Sequence, residues 1–355
     1  MRCAAFLISG DEKMKKILVT GAAGFIGSQL AHALWQKGAR VTLLDDFSYG
    51  KEDNLIFDDH DFREEILRES ICDRPVLLHL CEREAFDVIY HIGAITPLPD
   101  CQIDPGRAIE VNVAGTVNVL EAARQHGVRK VVFASTSAVY ENCREFPTAE
   151  GDAVPPSLIY SGGKYAAEQF CKSYADVYGM NIVVLRFANV YGPHIDCLRK
   201  QPPVAAYMIR ELYCDRTPVL HSTGEQARDF IYVDDLIDLA IRVQEGEGFD
   251  CVNVSSNEAH SINELYHVIA KSMGKEQVKP SYVDSSNYWK AYPGLYEGEY
   301  PIRENILENE VKKHTLCDNS HAKEKYGWGP RVDFEEGVKR TVEFTVKKLQ
   351  HGADM

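Results

Sequence analysis

Short apolar runs alternate with amphipathic stretches along the first half of the chain. The runs have the length and the β-branched content of buried strands. They are Lys16–Thr20, Val41–Leu44, Glu65–Glu69, Asp87–Ile92, Lys130–Ala134 and Ile182–Phe187. The stretches between them carry apolar residues at helical spacing, and the clearest are Ser28–Lys37, Pro75–Glu84, Pro105–His126 and Ser161–Tyr178. Strands that alternate with helices predict an α/β fold with a doubly wound parallel sheet, covered by helices on both faces.

The regular alternation ends after residue 192, where prolines become frequent and the elements less regular. We expect an N-terminal extension over residues 1–13, a first domain over 14–192 and a smaller C-terminal α/β lobe over 193–355. Some segments of this lobe should return to the first domain. Residues 284–312 are rich in Tyr, Asn, Glu and Gly, which predicts a long loop or lid rather than a core element. The last predicted element is an amphipathic helix over Phe334–Leu349.

The 355-residue chain carries 53 acidic and 39 basic side chains, so its net charge is −14. An acidic overall field disfavours binding to nucleic acid or to an anionic membrane, although a few local cations and backbone N–H groups can still bind phosphates. The ten cysteines are scattered without metal-ligand spacing, which favours reduced thiols in a cytoplasmic protein. No apolar run has the length of a membrane span. We therefore expect no metal, nucleic-acid or membrane partner.

Three glycines lie where the first strand passes into the first helix. Gly21 permits a tight turn, Gly24 lets the backbone approach a pyrophosphate, and Gly27 lets the helix pack closely on the strand. The amino end of the helix then offers N–H groups and positive potential to phosphates. Asp45 ends the second strand, where a carboxylate accepts hydrogen bonds from ribose hydroxyls, and no Arg follows it. The pattern predicts a dinucleotide site that binds NAD rather than NADP.

A second group of residues indicates proton transfer. Tyr160 and Lys164 are four residues apart, so on a helix they lie on one face about one turn apart. A nearby ammonium stabilises a phenolate and lowers the pKa of the tyrosine, which makes it a usable general base. The fifth strand ends in Ser135–Ser137, and a hydroxyl there can bind the same substrate oxygen.

Several segments together resemble a known family. They are Gly21–Gly27, Asp45, Asn112 in VNVAGT, Ser135–Tyr140 (STSAVY), the Tyr160/Lys164 pair, Arg186–Gly192 (RFANVYG) and Arg228–Leu236 (RDFIYVDDL). Their joint pattern resembles the extended short-chain dehydrogenases/reductases, the NAD-dependent epimerase/dehydratase family, over about residues 15 to 348. The resemblance implies a Rossmann-type fold with a smaller C-terminal lobe that binds a nucleotide sugar, and NAD as cofactor.

The resemblance also assigns residues to the cofactor. The positions that it implies are Gly21, Gly24, Phe25, Ile26, Gly27, Asp45, Ser48, Gly50, Ser70, Ile71, Ile92, Gly93, Ala94, Thr96, Asn112, Ser135, Tyr160, Lys164 and Phe187. Ser70 departs from the family, which commonly has Asp at that position.

Catalytic and substrate-binding roles follow from the same resemblance. It implies Tyr160 as general base, Lys164 as the group that lowers its pKa and holds the nicotinamide ribose, and Thr136 as the hydroxyl that orients the substrate. The substrate would contact Thr136, Ser137, Asn189, Arg228 and Arg303. Asn189 and Arg228 would hold the diphosphate. An ion pair between Arg228 and Asp229 is the alternative reading of that arginine.

The residues after Thr136 distinguish between the reactions of the family. A 4,6-dehydratase typically carries an Asp-Glu pair there, and a nucleotide-sugar decarboxylase a Glu, whereas this chain has Ser137 and Ala138. Both acid/base sets are missing, which favours an epimerase that inverts C4 through a 4-keto sugar. A 3,5- or 2-epimerase, a dehydratase with a relocated acid and a decarboxylase stay as alternatives. A sensor or scaffold that binds NAD without catalysis is a more distant one, because the Tyr/Lys pair is kept.

Two further expectations concern the C-terminal lobe and the assembly. The epimerases usually have an Arg just before a Gly-Glu or Gly-Asp pair, whereas Leu295–Glu299 contains none, so Arg303 is the candidate to substitute. Family members usually dimerise through a four-helix bundle. The matching helices lie at about residues 105–126 and 161–178, which predicts a homodimer.

Overall fold

The computed structural model describes residues 14–200 and 202–353, so the extension predicted over 1–13 lies outside the described residues. Within these residues the twelve strands are β1 (Lys16–Thr20), β2 (Arg40–Leu44), β3 (Ile66–Leu67), β4 (Val88–His91), β5 (Lys130–Thr136), β6 (Ile182–Phe187), β7 (Asn189–Tyr191), β8 (Val219–His221), β9 (Ala227–Tyr232), β10 (Phe249–Val254), β11 (Ala259–Ser261) and β12 (Ser281–Val283).

Seven of these strands form one sheet in the order β10-β6-β5-β4-β1-β2-β3, and every neighbouring pair is parallel. The predicted α/β class with a Rossmann-type sheet is confirmed. The third strand is only two residues long, shorter than the predicted Glu65–Glu69. The strand order reverses between β1 and β4, and ligands of such sheets bind in the crevice at the carboxyl ends of the strands there.

Twelve α-helices accompany the strands in the described chain. They are α1 (Phe25–Gln36), α2 (Arg74–Glu84), α3 (Leu98–Ile103), α4 (Pro105–Ile109), α5 (Thr116–Gln125), α6 (Ile159–Tyr178), α7 (Val204–Tyr213), α8 (Val233–Arg242), α9 (Ile262–Ser272), α10 (Glu304–Lys312), α11 (Ser320–Tyr326) and α12 (Phe334–Ala353). The helix predicted over 105–126 is α4 and α5 joined by a π-helical segment, Glu110–Gly115. None of the described helices is both long enough and apolar enough to cross a bilayer.

Two apolar cores sandwich the main sheet. One face packs on α1 and α8, and the other on α2, α5 and α6. Strand β10 and helix α8 belong to the second half of the chain, so this half contributes to the first core. A separate apolar cluster lies between α7, α9 and α12. Two small sheets, β11-β9-β7 and β12-β8, complete the second half.

The prediction for residues 284–312 was wrong. Two 3₁₀ helices (Ser285–Ala291 and Pro293–Tyr296) and α10 occupy this segment. They have a hydrophobic cluster of their own, formed by Trp289, Tyr292, Leu295 and Leu307. The physical reason is that Trp289, Tyr292 and Leu295 recur at every third residue, the spacing of a 3₁₀ helix, and they meet Leu307 of α10 only when the segment folds back on itself.

Candidate functional site

The glycine-rich turn between β1 and α1 leaves no room for side chains. Gly21 has a φ of +68°, and a Cβ there would lie 2.6 Å from the Cα of Gly93. A Cβ at Gly27 would lie 2.0 Å from the carbonyl oxygen of Gly21. No described side chain caps the N-terminal N–H groups of α1, which follow Gly24. This turn exposes backbone without side chains, and the first N–H groups of α1 are free to donate hydrogen bonds. Such an arrangement fits the pyrophosphate of a dinucleotide.

Asp45 lies at the carboxyl end of β2, where its carboxylate is oriented by backbone. Oδ2 accepts a hydrogen bond of 3.0 Å from the N–H of Ala23, and Oδ1 accepts one of 2.8 Å from the N–H of Phe47. Burial raises the pKa of this carboxyl, and the two N–H groups partly offset the rise. A Cβ at Gly50 would come within 2.6 Å of Oδ1, so a glycine is required beside this carboxylate. The oriented acceptor fits the ribose hydroxyls of NAD.

A cavity of 440 Å³ opens at the carboxyl ends of these strands. It brings together most of the cofactor positions that the sequence predicts, together with the catalytic ones. The predicted residues that line it are Gly21, Gly24, Phe25, Ile26, Gly27, Asp45, Ser48, Gly50, Ile71, Ile92, Gly93, Ala94, Thr96, Ser135, Thr136, Tyr160, Lys164, Phe187 and Asn189. The predicted site residues outside its lining are Ser70, Asn112, Ser137, Arg228 and Arg303.

Two predicted cofactor residues act on their neighbours instead of facing the cavity. The Ser70 hydroxyl donates a hydrogen bond of 3.1 Å to Asp46 Oδ2. The buried amide of Asn112 binds the backbone of Ile95 twice, accepting from its N–H and donating to its carbonyl, both at 2.8 Å. Asn112 therefore holds the loop after β4, which itself lines the cavity. Asn112 thus supports the loop from the side that faces away from the cavity.

Tyr160 and Lys164 lie on the first turns of α6. Burial raises the pKa of the Tyr160 phenol to about 12, and a hydrogen bond with the Thr136 hydroxyl lowers it. Burial lowers the pKa of the Lys164 ammonium to about 8. The Lys164 ammonium lies over the ring of Phe133, 4.3 Å from its centroid.

Two acidic residues that the sequence analysis missed support this end of the cavity. Glu141 binds the amino end of α6 through the N–H groups of Ser157 and Leu158, the latter at 2.8 Å. Glu168, on α6, is buried, and its carboxylate pairs with the Arg186 guanidinium at 2.6 Å. The hydroxyl of Ser135 donates a hydrogen bond to the Glu168 carboxylate. Neither residue has a motif that could have revealed it, since each contact joins segments that are distant in sequence.

The predicted substrate residues are less uniformly arranged. Asn189 lines the cavity and donates a hydrogen bond of 3.0 Å to the carbonyl of Asp229. Ser137 lines a second cavity of 420 Å³, between the loop after β5 and α10. Arg303 is exposed at the residue that precedes α10. Among the described residues, no three His, Cys, Asp or Glu side chains form a cluster that could hold a metal.

Arg228 has backbone acceptors in this structure. Its guanidinium donates hydrogen bonds to the carbonyls of Glu310, Val311 and Lys313 at the carboxyl end of α10, the first two at 3.2 and 3.0 Å. Burial lowers the pKa of the guanidinium to about 10. A cation at this end of a helix also favours the helix dipole. The arginine therefore anchors the folded 284–312 segment.

The alternative of an ion pair between Arg228 and Asp229 is wrong. The Asp229 carboxylate is fully buried and accepts hydrogen bonds from the Ser255 hydroxyl and from the N–H groups of Ser256 and Cys317. The physical reason is that successive residues of a strand point to opposite faces, so adjacent side chains of β9 do not meet.

A profile of the NAD dependent epimerase/dehydratase family matches residues 17–254, more than half of the chain. The chain belongs to this family. NAD is the cofactor of the family, and the glycine cradle and Asp45 described above fit it.

Individual relatives represent more than one activity of the family. The chain is 34% identical to a UDP-glucose 4-epimerase of Mycolicibacterium smegmatis, over 94% of this chain and 100% of that protein. It is 30% identical to a dTDP-D-glucose 4,6-dehydratase of Mus musculus, over 95% of this chain and 90% of that protein. A solved structure of the UDP-glucose 4-epimerase of Thermotoga maritima, with UDP-glucose, matches with a TM-score of 0.82 at 30% identity, covering 94% of this chain and 99% of that one.

Proposed function

We propose that this protein is an NAD-dependent nucleotide-sugar epimerase that inverts C4 of the sugar through a transient 4-keto sugar. The observation that carries the proposal is the acid/base content around Thr136. Ser137 and Ala138 follow it, and the next acidic residue, Glu141, has both carboxylate oxygens bonded to α6. Tyr160 is therefore the one proton-transfer group offered to the substrate by these residues, and an epimerisation needs no second one.

Four acidic residues of the described chain line the 440 Å³ cavity, but they have other tasks. Asp45, Asp46 and Glu69 lie at or next to strand ends on the ribose side, and Asp196 is paired with Lys51 at 2.7 Å. A dehydratase or a decarboxylase needs a carboxyl group that can reach the sugar to expel water or CO2. The distribution of carboxylates supports the epimerase over both alternatives.

Each catalytic side chain then has a defined task. When bound, NAD supplies reversible oxidation of the sugar carbon. Tyr160 is the general base that takes the proton of the C4 hydroxyl, and Thr136 orients that oxygen by a hydrogen bond. Lys164 keeps a positive charge on the same helix face. After the keto sugar has turned over, Tyr160 returns the proton to the oxygen from the same position, so one group serves both directions.

The proposal is tested with a panel of nucleotide sugars. The protein, supplied with NAD, is incubated with UDP-glucose, UDP-N-acetylglucosamine and UDP-glucuronate, and the C4 configuration and mass of the products are read by NMR and mass spectrometry. Inversion at C4 without a change of mass is expected with at least one of them, and Tyr160→Phe should abolish it. Loss of water or of CO2 would instead establish the dehydratase or the decarboxylase. Turnover that survives Tyr160→Phe would contradict the assigned base.

Assembly and domain roles extend the proposal. Residues 14–192 would bind NAD and residues 193–355 would supply most of the nucleotide-sugar lobe. A homodimer through a four-helix bundle is supported by exposed apolar side chains on α4 and α6, namely Ile109, Phe170, Val177 and Tyr178. The free thiols of the nine described cysteines fit a reducing compartment such as the cytoplasm. Light scattering of wild type beside Val177→Lys tests the dimer, because a charge in the bundle should yield monomers.

A further inference from the structure

Among the residues that the structure describes, three cationic side chains line the 440 Å³ cavity, and they are Arg107, Lys164 and Arg199. We propose that Arg199 is the guanidinium that binds the diphosphate of the nucleotide sugar in this chain. This inference rests on the proposed function, since it names the residue by which that site holds its substrate. It assigns to Arg199 the role that the sequence analysis expected from Arg228 and Arg303.

The other two cations of the cavity have different positions and partners. Arg107 pairs with Glu110 at 2.7 Å and lies 3.9 Å from Asp46, at the end of the cavity that holds the Asp45 carboxylate. Lys164 is buried on the same helix as the catalytic tyrosine, with its ammonium over Phe133. Arg107 therefore lies with the carboxylates at strand ends, and Lys164 lies with the catalytic tyrosine, so neither is assigned to the diphosphate.

The two arginines favoured by sequence are held away from the cavity. The Arg228 guanidinium has backbone carbonyls of α10 and the residue after it as acceptors, and removing it from them would release the end of that helix. Arg303 precedes the opposite end of α10 and is exposed. Neither lines the 440 Å³ cavity or the 420 Å³ one.

The backbone that carries Arg199 is fixed by a carboxylate. Asp196 Oδ1 accepts hydrogen bonds from the N–H groups of Leu198 and Arg199 at 3.0 and 3.1 Å, and it pairs with Lys51 at 2.7 Å. The carbonyl of Arg199 accepts a hydrogen bond of 3.4 Å from Arg210 on α7. The turn is therefore set before a ligand arrives, which reduces the entropic cost of binding.

The charge of Arg199 acts at the border between the cavity and the 284–312 segment. Burial raises the pKa of the phenols of Tyr288 and Tyr292, and the charge of Arg199 counteracts both rises. The same charge acts on Tyr49, which also lines the cavity. The neighbouring Lys200 lies over the Tyr292 ring, 5.0 Å from its centroid. The guanidinium thus stands where the nucleotide lobe faces the cofactor cavity, and its planar fork matches phosphate oxygens.

The test measures binding, so it does not depend on turnover. Wild type, Arg199→Gln, Arg199→Lys and the neighbouring control Lys200→Gln are titrated with UDP and with UMP by calorimetry. Retained NAD is measured in each variant after denaturation. We expect Arg199→Gln to weaken UDP binding roughly 10- to 100-fold, the loss of a charged hydrogen bond, and UMP binding less. The UDP affinity of Arg199→Lys should lie between those of wild type and Arg199→Gln. The UDP affinity of Lys200→Gln should equal that of wild type, and the NAD content should be unchanged in all variants.

Each other outcome overturns the inference, and the causes are distinguishable. If wild type epimerises a nucleotide sugar and Arg199→Gln binds UDP equally well, Arg199 is not the ligand and the proposed function stands. If Arg199→Gln loses NAD but keeps UDP, the guanidinium serves the cofactor. If wild type binds no UDP, the inference is overturned, and the panel of nucleotide sugars decides the proposed function separately. If Arg199→Gln fails to fold, the affinities of Arg199→Lys are used instead. A preference of Arg199→Lys for UDP over UMP that equals the preference of wild type would then contradict the proposal.

Discussion

The carboxylate of Glu141 accepts a hydrogen bond of 2.5 Å from the hydroxyl of Ser161, the residue next to the catalytic tyrosine. The other carboxylate oxygen accepts from the N–H of Leu158 at 2.8 Å. A negative charge at the amino end of a helix satisfies unpaired N–H groups and interacts favourably with the helix dipole. Glu141 therefore fixes the start of the helix that carries Tyr160 and Lys164.

Replacing this anchor should affect turnover more than affinity. Glu141→Ala leaves the first turn of α6 unanchored and should lower kcat about 10-fold, because small displacements of a catalytic group are costly, with KM little changed. The free energy of unfolding should fall by about 1 kcal/mol, the usual value of a helix cap. Steady-state kinetics and urea titration measure both. Glu141→Gln should recover part of kcat, and the nearby exposed Glu145→Ala is the control. An equal effect of the two alanine variants would refute the positioning role.

The buried ammonium of Lys164 makes stability depend on pH. Its pKa is lowered from 10.5 to about 8 by burial, so the unfolded chain binds more protons between these values. The free energy of unfolding should therefore rise with pH across this window. Below pH 8 the full cost of the buried charge is present, roughly 3 kcal/mol.

Lys164→Met should remove that cost while abolishing turnover. At pH 7 we expect its free energy of unfolding to exceed that of wild type by roughly 1 to 3 kcal/mol, and the difference should shrink towards zero near pH 10.5. Urea titrations at several pH values measure it. Lys172→Met replaces an exposed lysine of the same helix and is the control. A Lys164→Met protein that is less stable than wild type at every pH would contradict the expectation.

The close approach of Gly27 to Gly21 predicts a loss of cofactor. Gly27→Ala would place a Cβ 2.0 Å from a backbone oxygen, so the turn must shift. We expect little NAD to remain bound after purification and a fall in thermal stability. Gly162→Ala adds the same methyl group on α6 where nothing lies within 4 Å. This control should keep its NAD and gain about 0.5 to 1 kcal/mol, since alanine is favoured in helices. Equal NAD content in the two variants would be evidence against a tight cradle.

The buried pair of Glu168 and Arg186 links the catalytic helix to β6. Its side chains are 3% and 6% exposed, so Glu168→Gln leaves a buried guanidinium without its counter-charge. Breaking such a pair costs about 3 to 5 kcal/mol. Lys172 and Asp176 form an exposed pair on the same helix, 2.8 Å apart. Asp176→Asn should change the free energy of unfolding by less than about 1 kcal/mol. Urea titration compares the two, and similar losses would contradict the importance of burial.

The sequence determined the features that depend on local backbone geometry and on the spacing of apolar residues in helices and strands. The glycine turn, Asp45 at a strand end and the Tyr160/Lys164 pair on one helix face follow from short-range spacing, because strand and helix geometry place near neighbours predictably. For the same reason the parallel sheet could be predicted before its strand order was known.

The tertiary structure decided the contacts between distant segments. Glu141 reaches Ser161, Arg228 caps α10, and Arg199 lines the same cavity as Asn189, although no motif connects any of these positions. The fold of the 284–312 segment also depends on contacts between residues that are distant in sequence. Such contacts depend on how packed elements place their ends in space, and a side chain that has several acceptors within reach takes its partner only once that packing is set.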